Sequence, residues 1–288
     1  MACNHFYVEY EHTSKGVQAR MLFAIFEHKS DLMKITLIQA PLVWENVSAN
    51  RDYFSEKINA LKEGTDLVVL PEMFSTGFSM HPERLAEKMQ GDTVLWMQMM
   101  AQTKNCAITG SLIIVEDGKF FNRLLFVYPS GTIQTYDKRH LFTLAGEDTA
   151  YAPGREKVIV DYNGWKICLL VCYDLRFPVF SRNVEGYEVL VYVANWPESR
   201  IDAWDALLKA RAIENMSYVV GVNRVGEDEN GHEYAGHSQV IDALGNYIVP
   251  PQETEGVFTA ELSKDDLVEA RDKFSFLNDQ DEFTVKLG

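Results

Sequence analysis

Four side chains in this sequence are of the types that acyl transfer at an amide requires, and each stands at or beyond the end of a strand-like run. Cys172 follows Trp165-Lys166-Ile167-Cys168-Leu169-Leu170-Val171, a short apolar run bounded upstream by the turn signal Asn163-Gly164. Glu72 follows Leu67-Val68-Val69-Leu70-Pro71, Lys138 follows a strand over residues 132–136, and Glu147 lies in the loop that runs on to Pro153-Gly154. A thiol is a nucleophile, a carboxylate can take its proton, an ammonium can hold an oxyanion, and a second carboxylate can orient the ammonium or position water. A free thiol is only a few per cent thiolate at neutral pH, so it needs the base. Taken singly, each residue has a bland account: Glu72 a charge at a helix start, Lys138 a solvated loop cation, Glu147 a surface acid, Cys172 a small buried hydrophobe. Their joint placement where catalytic groups collect in α/β folds is what favours chemistry.

The elements that must position them read as alternating strands and helices. Residues 33–40 form a strand, residues 50–61 show helical spacing (Tyr53, Ile58, Leu61) up to Gly64, and residues 67–70 form a buried strand, together a βαβ unit. Residues 83–104 read as one helix, followed by a strand at 107–115 that turns at Asp117-Gly118 into residues 120–128. Residues 176–184 also read as helical, which would set Cys172 where the unpaired N–H groups of a helix start favour an anion. A strand at 188–194, a helix at 201–216, a strand at 218–222 and a hairpin over 239–249 complete the pattern. The expectation is an α/β domain of two mixed sheets faced by helices.

Composition narrows the function classes. With 288 residues and 47% hydrophobic content the chain can bury a large core, and its formal charge of -15 opposes a nucleic-acid partner, which would need clustered Lys and Arg. No apolar run approaches the ~20 residues of a membrane span. The four cysteines (Cys3, Cys106, Cys168, Cys172) lack zinc spacing, and an unpaired thiol suits a reducing cytoplasm. No cofactor or metal is expected; the expected partner is a small amide.

Three blocks carry a resemblance. Pro71-Glu72-Met73-Phe74, Tyr136-Asp137-Lys138-Arg139-His140-Leu141-Phe142 and Cys172-Tyr173-Asp174-Leu175-Arg176-Phe177-Pro178, in this order and at these wide separations, resemble the signature blocks of the nitrilase (carbon-nitrogen hydrolase) superfamily. Tyr192-Val193-Ala194-Asn195-Trp196-Pro197, Ala210-Arg211-Ala212-Ile213-Glu214-Asn215 and Asn223-Arg224-Val225-Gly226 extend it over residue 33 to about residue 283. The sequence is most similar to the omega-amidase branch, which hydrolyses the side-chain amide of 2-oxo acid monoamides such as 2-oxoglutaramate. The resemblance implies a four-layer α-β-β-α sandwich, with Cys172 as nucleophile, Glu72 as base and later acid, Lys138 as oxyanion stabiliser and Glu147 as the family's second glutamate. It also implies a homodimer or larger homo-oligomer.

Around this set, Arg176 is the candidate cation for a substrate carboxylate, Tyr173 offers its backbone N–H to the oxyanion, and Phe78 and Trp196 are candidate apolar walls. A salt bridge for Arg176 and core packing for the two aromatics are the alternatives. His140 is expected to be a hydrogen-bonded structural residue, Met97, Met99 and Met100 to be helix packing, and Trp204, Leu207 and Leu208 to belong to a subunit interface. Rival readings are another C–N substrate such as a nitrile, an N-carbamoyl compound or an aliphatic amide, a non-catalytic thiol protein on the same fold, and a Cys–His protease. Residues 1–32 read as an extension that is disordered or not translated, before a hydrolase domain over 33–288.

Overall fold

The structure is a computed structural model that describes residues 7–13, 16–22, 31–62 and 64–284. Tyr7–Thr13 and Gly16–Leu22 pair as an antiparallel ribbon, where the sequence pattern suggests no element. The expectation of disorder or a later start covers residues 1–32, of which 1–6, 14–15 and 23–30 lie outside the described residues and Leu32 opens the strand Leu32–Gln39.

From Asp31 onward the chain builds two six-stranded mixed sheets. The first runs in the order Gly256–Ser263, Leu32–Gln39, Leu67–Val69, Ala107–Glu116, Lys119–Val127, Ile133–Asp137. The second runs Tyr247–Val249, Gln239–Ile241, Tyr218–Val222, Val189–Val193, Trp165–Val171, Val158–Tyr162. Side-chain alternation explains the layering. Ile35, Leu37, Leu67, Val69, Leu124 and Phe126 point into the core shared with the second sheet, whereas Ile38, Val68, Leu70, Leu125 and Val127 pack under helices Val47–Asn59 and Asp92–Lys104. Helix Ile201–Asn215 covers the second sheet, which gives the four layers. Among the described residues no helix is long and apolar enough to cross a membrane.

Several expectations are corrected. The helix over 83–104 is two, Pro82–Leu85 and Asp92–Lys104, because Glu87 leaves the helix to bond the Ile113 carbonyl and its carboxylate accepts the Thr93 N–H at 2.9 Å. Met97 and Met100 are core residues but Met99 is exposed. Trp204 and Leu208 lie in the core and not in an interface: a Cβ on Gly221 would come within 2.5 Å of Leu208 Cδ1, so the bare glycine is what lets this helix seat on the strand. The strand Gly256–Ser263, which closes the edge of the first sheet against Leu32–Gln39, carries no distinct signal in the sequence.

Candidate active site

Cys172 stands directly after strand Trp165–Val171 and begins a 3-10 turn, Cys172–Arg176. The expected helix over 176–184 reduces to this turn and Pro178–Ser181, since Phe177 is held out of the helical region at φ -116°, ψ 83° before Pro178, which has no N–H to continue the ladder. The long helix start expected behind the thiol is therefore replaced by a short turn. The thiol is nearly buried and its backbone is left-handed, with φ 44°. A non-glycine residue there costs on the order of 1–3 kcal/mol, so the surroundings must hold it. Asp174 does much of this: one oxygen accepts the Val171 N–H (3.0 Å) and the Tyr136 hydroxyl (2.7 Å), the other the His140 N–H (3.0 Å) and ring Nδ1 (2.8 Å). One buried carboxylate thus ties the strand end that carries Cys172 to the strand end that carries Lys138. His140, stacked on Phe177 with centroids 3.7 Å apart, is the structural residue expected.

Glu72, Lys138 and Glu147 converge beside the thiol from three separate strand ends and loops. Lys138 Nζ lies 2.9 Å from Glu72 Oε1 and 2.9 Å from each oxygen of Glu147, and all three side chains are fully buried. Asn122 Nδ2 donates to both carboxylates, at 2.7 Å to Glu72 and 3.2 Å to Glu147. The Asn195 N–H holds the other Glu72 oxygen at 2.8 Å, and the Phe142 N–H holds Glu147 at 2.6 Å. Sequence reasoning missed Asn122 and Asp174 as positioning groups. A lone Asn inside Phe120-Phe121-Asn122-Arg123-Leu124-Leu125 was the available signal for the first.

Burial pushes the Cys172 thiol well above the ordinary cysteine range; the charge of the Glu72 carboxylate raises it further and Lys138 opposes. The resting nucleophile is thus a protonated thiol beside an accepting carboxylate. Burial alone would discharge Lys138, but Glu147 and then Glu72 outweigh it and hold the ammonium charged. Burial also raises the Glu147 carboxyl, with Lys138 opposing.

The thiol opens into a cavity of about 340 Å³, the size of a small-ligand site. All four predicted binding residues, Phe78, Tyr173, Arg176 and Trp196, line it. Phe78 also lies under Lys138 Nζ, 5.1 Å from its ring centroid, and buried Trp196 serves the core as well as the wall. Arg176 makes no ion pair among the described residues; its guanidinium lies 4.9 Å from the centroid of the Trp196 ring. Among those residues there is also no cluster of His, Cys, Asp and Glu suited to a metal.

The carbon-nitrogen hydrolase family model matches residues 34–272. Omega-amidase YafV of Escherichia coli (strain K12) is 48% identical over 255 residues, covering 88% of this chain and 98% of that protein. The 2-oxoglutaramate amidase of Bacillus subtilis (strain 168) is 32% identical over 240 residues, covering 82% of this chain and 91% of that protein. A carbon-nitrogen hydrolase superfamily structure from Xanthomonas campestris, with an arsenic adduct in its active site, superposes with a TM-score of 0.87 at 44% identity, covering 88% of this chain and 99% of that one. With the fold, the converging side chains and these likenesses together, the chain belongs to the carbon-nitrogen hydrolase family.

Proposed function

We propose that this protein is an omega-amidase, which releases ammonia from the side-chain amide of small 2-oxo acid monoamides through a Cys172 thioester. The observation that carries the reading is the buried Glu72–Lys138–Glu147 set at 2.9 Å contacts beside a thiol that opens into a small cavity. Glu72 takes the thiol proton as sulfur bonds to the amide carbon and the carbonyl electrons move onto oxygen. The Lys138 ammonium and the Tyr173 N–H hold that oxyanion, each such donor being worth about 3 kcal/mol. Protonated Glu72 then gives its proton to nitrogen as the C–N bond breaks and ammonia leaves. Water, losing its proton to Glu72, attacks the thioester; the acid departs and the thiol recovers the proton. Arg176 receives the carboxylate at the end of the substrate away from the amide.

Ammonia release from 2-oxoglutaramate and 2-oxosuccinamate, measured beside a nitrile, an N-carbamoyl amino acid and a simple aliphatic amide, tests the substrate. The 2-oxo monoamides are expected to give the highest kcat/KM, and Cys172→Ala to give none. Measurable turnover by Cys172→Ala refutes the thioester. The enzyme is further proposed to be cytoplasmic, where Cys106, Cys168 and Cys172 stay free thiols, and, as the resemblance implies, a homodimer or larger homo-oligomer, which light scattering on the eluting protein checks.

A further inference from the structure

We infer that Arg200 forms, with Arg176, a two-guanidinium clamp that selects amides whose far end carries a carboxylate beside an uncharged oxygen and turns away those carrying an ammonium there, an inference that rests on the amidase reading above. Both arginines line the Cys172 cavity. Arg200 follows the strand-end segment Asn195-Trp196-Pro197 in the turn Glu198–Arg200, and its guanidinium lies 5.2 Å from the centroid of the Phe142 ring. Like Arg176 it has no acidic partner among the described residues. Lacking an acid is not itself distinctive, since Arg139, Arg182, Arg224 and Arg271 also lack one; those four donate to backbone carbonyl oxygens, whereas the guanidinium groups of Arg176 and Arg200 have no hydrogen-bond acceptor among the described residues and both line the cavity. Two permanent cations left unpaired at one cavity imply an anion that comes from outside.

The two platforms are tied to the reacting groups. Trp196, whose ring carries Arg176, donates its Nε1–H to the Arg200 carbonyl at 2.7 Å. Phe142, whose ring carries Arg200, gives its N–H to Glu147 and packs 5.0 Å from Tyr173, the residue after the nucleophile. Stacking against a ring face leaves the in-plane N–H groups free for paired acceptors. A 2-oxo acid offers such acceptors, a carboxylate and the adjacent carbonyl oxygen. A 2-amino acid amide instead brings an ammonium against two guanidinium groups, which is unfavourable. The acid that lines the cavity, Asp228, pairs with neither arginine: its oxygens accept the Asn230 and His232 N–H groups and the Tyr234 hydroxyl at 2.9 to 3.0 Å.

The test measures ammonia release by the wild type, Arg200→Met and Arg200→Lys on 2-oxoglutaramate, glutaramate, glutamine and butyramide. Any substitution keeps the Arg200 carbonyl that receives Trp196, so the local fold is retained, and matched circular dichroism checks it. Arg200→Met is expected to lower the ratio of kcat/KM for 2-oxoglutaramate to that for butyramide by about 10- to 100-fold, mainly through KM, as expected for losing a hydrogen bond to a charged group. Arg200→Lys restores part of it. The preference for 2-oxoglutaramate over glutamine falls as well. An unchanged ratio, or an equal loss on all four amides, overturns the clamp while leaving the amidase reading intact. A wild type inactive on every amide overturns both.

Discussion

Glu72→Gln separates two effects that the resting site combines. The charge of the Glu72 carboxylate is, after burial, the strongest influence keeping the proton on sulfur. Removing that charge raises the thiolate population, while burial still acts and Glu147 still holds Lys138. A thiolate that is easier to form is also a weaker nucleophile, with a Brønsted slope of about 0.4–0.5, so the alkylation rate rises by less than the thiolate population does. Amide turnover moves the other way, by about 10²- to 10⁴-fold, because no group remains to accept the thiol proton and return it to nitrogen. Iodoacetamide labelling of Cys172 followed by mass spectrometry across pH, beside ammonia release, reads both. The expected result is a labelling profile displaced to lower pH with turnover nearly lost. A profile that stays in place or moves to higher pH would falsify the assignment of Glu72 as the group that protonates the thiol at rest.

Replacing Lys138 by Met leaves two buried carboxylates without their cation and is expected to cost about 3–5 kcal/mol in urea unfolding at pH 8. The sign of the pH effect follows from burial, which raises carboxyl pKa values once the cation is gone: the folded variant then binds more protons than the unfolded one, so the cost shrinks at pH 5, and an equal cost at both pH values speaks against the buried network. In the wild type Lys138 is raised, so its contribution is present in full below the ordinary lysine range and is lost only as pH climbs through the raised value; stability between pH 7 and 9 should show no loss from this group. Asp174→Ala removes the shared acceptor of Val171, Tyr136 and His140 and should lower stability by about 2–4 kcal/mol with a larger fall in kcat than in KM; unchanged kcat refutes its positioning role. Gly154→Ala puts a Cβ 2.0 Å from the Asp137 carbonyl oxygen, next to Lys138, so a loss of about 1–3 kcal/mol is expected by thermal unfolding, and a neutral variant shows that this approach is not tight.

The strand ends before Glu72 and Cys172 are legible in the sequence because short apolar runs stop there, whereas Lys138 follows a run of mixed polarity and all three are picked out by the signature blocks around them. The layered sheets follow from the same runs. Less is visible where local pattern and tertiary demand differ. Residues 176–184 have helical composition, yet Pro178 and the Asp174 side chain break the segment into two short turns. Trp204 and Leu208 have the i, i+4 spacing of an apolar stripe, which suits a core or an interface alike, and their burial against Gly221 shows that they are core. Arg200 has no motif to mark it. Its meaning comes from the ring beneath it and the acceptor that is missing beside it among the described residues, neither of which is adjacent in sequence.

The contacts of Lys138 bear on how one ammonium serves both the resting site and the oxyanion. An ammonium has three donors, and here its contacts go to Glu72 Oε1 and to both oxygens of Glu147, all at 2.9 Å. None is spare while Glu72 is charged. In the proposed reaction Glu72 gains the thiol proton at the moment the carbonyl oxygen gains negative charge. The contact from Lys138 to a neutral Glu72 is then weaker than one to an oxyanion, since hydrogen bonds to charged acceptors are roughly twice as strong as neutral ones. One donor therefore transfers from Glu72 to the substrate without any change in the net charge of the buried site. Glu147, held by the Phe142 N–H and Asn122, keeps the ammonium in place during that exchange. This assigns the second glutamate an orienting role for Lys138, which needs no proton of its own.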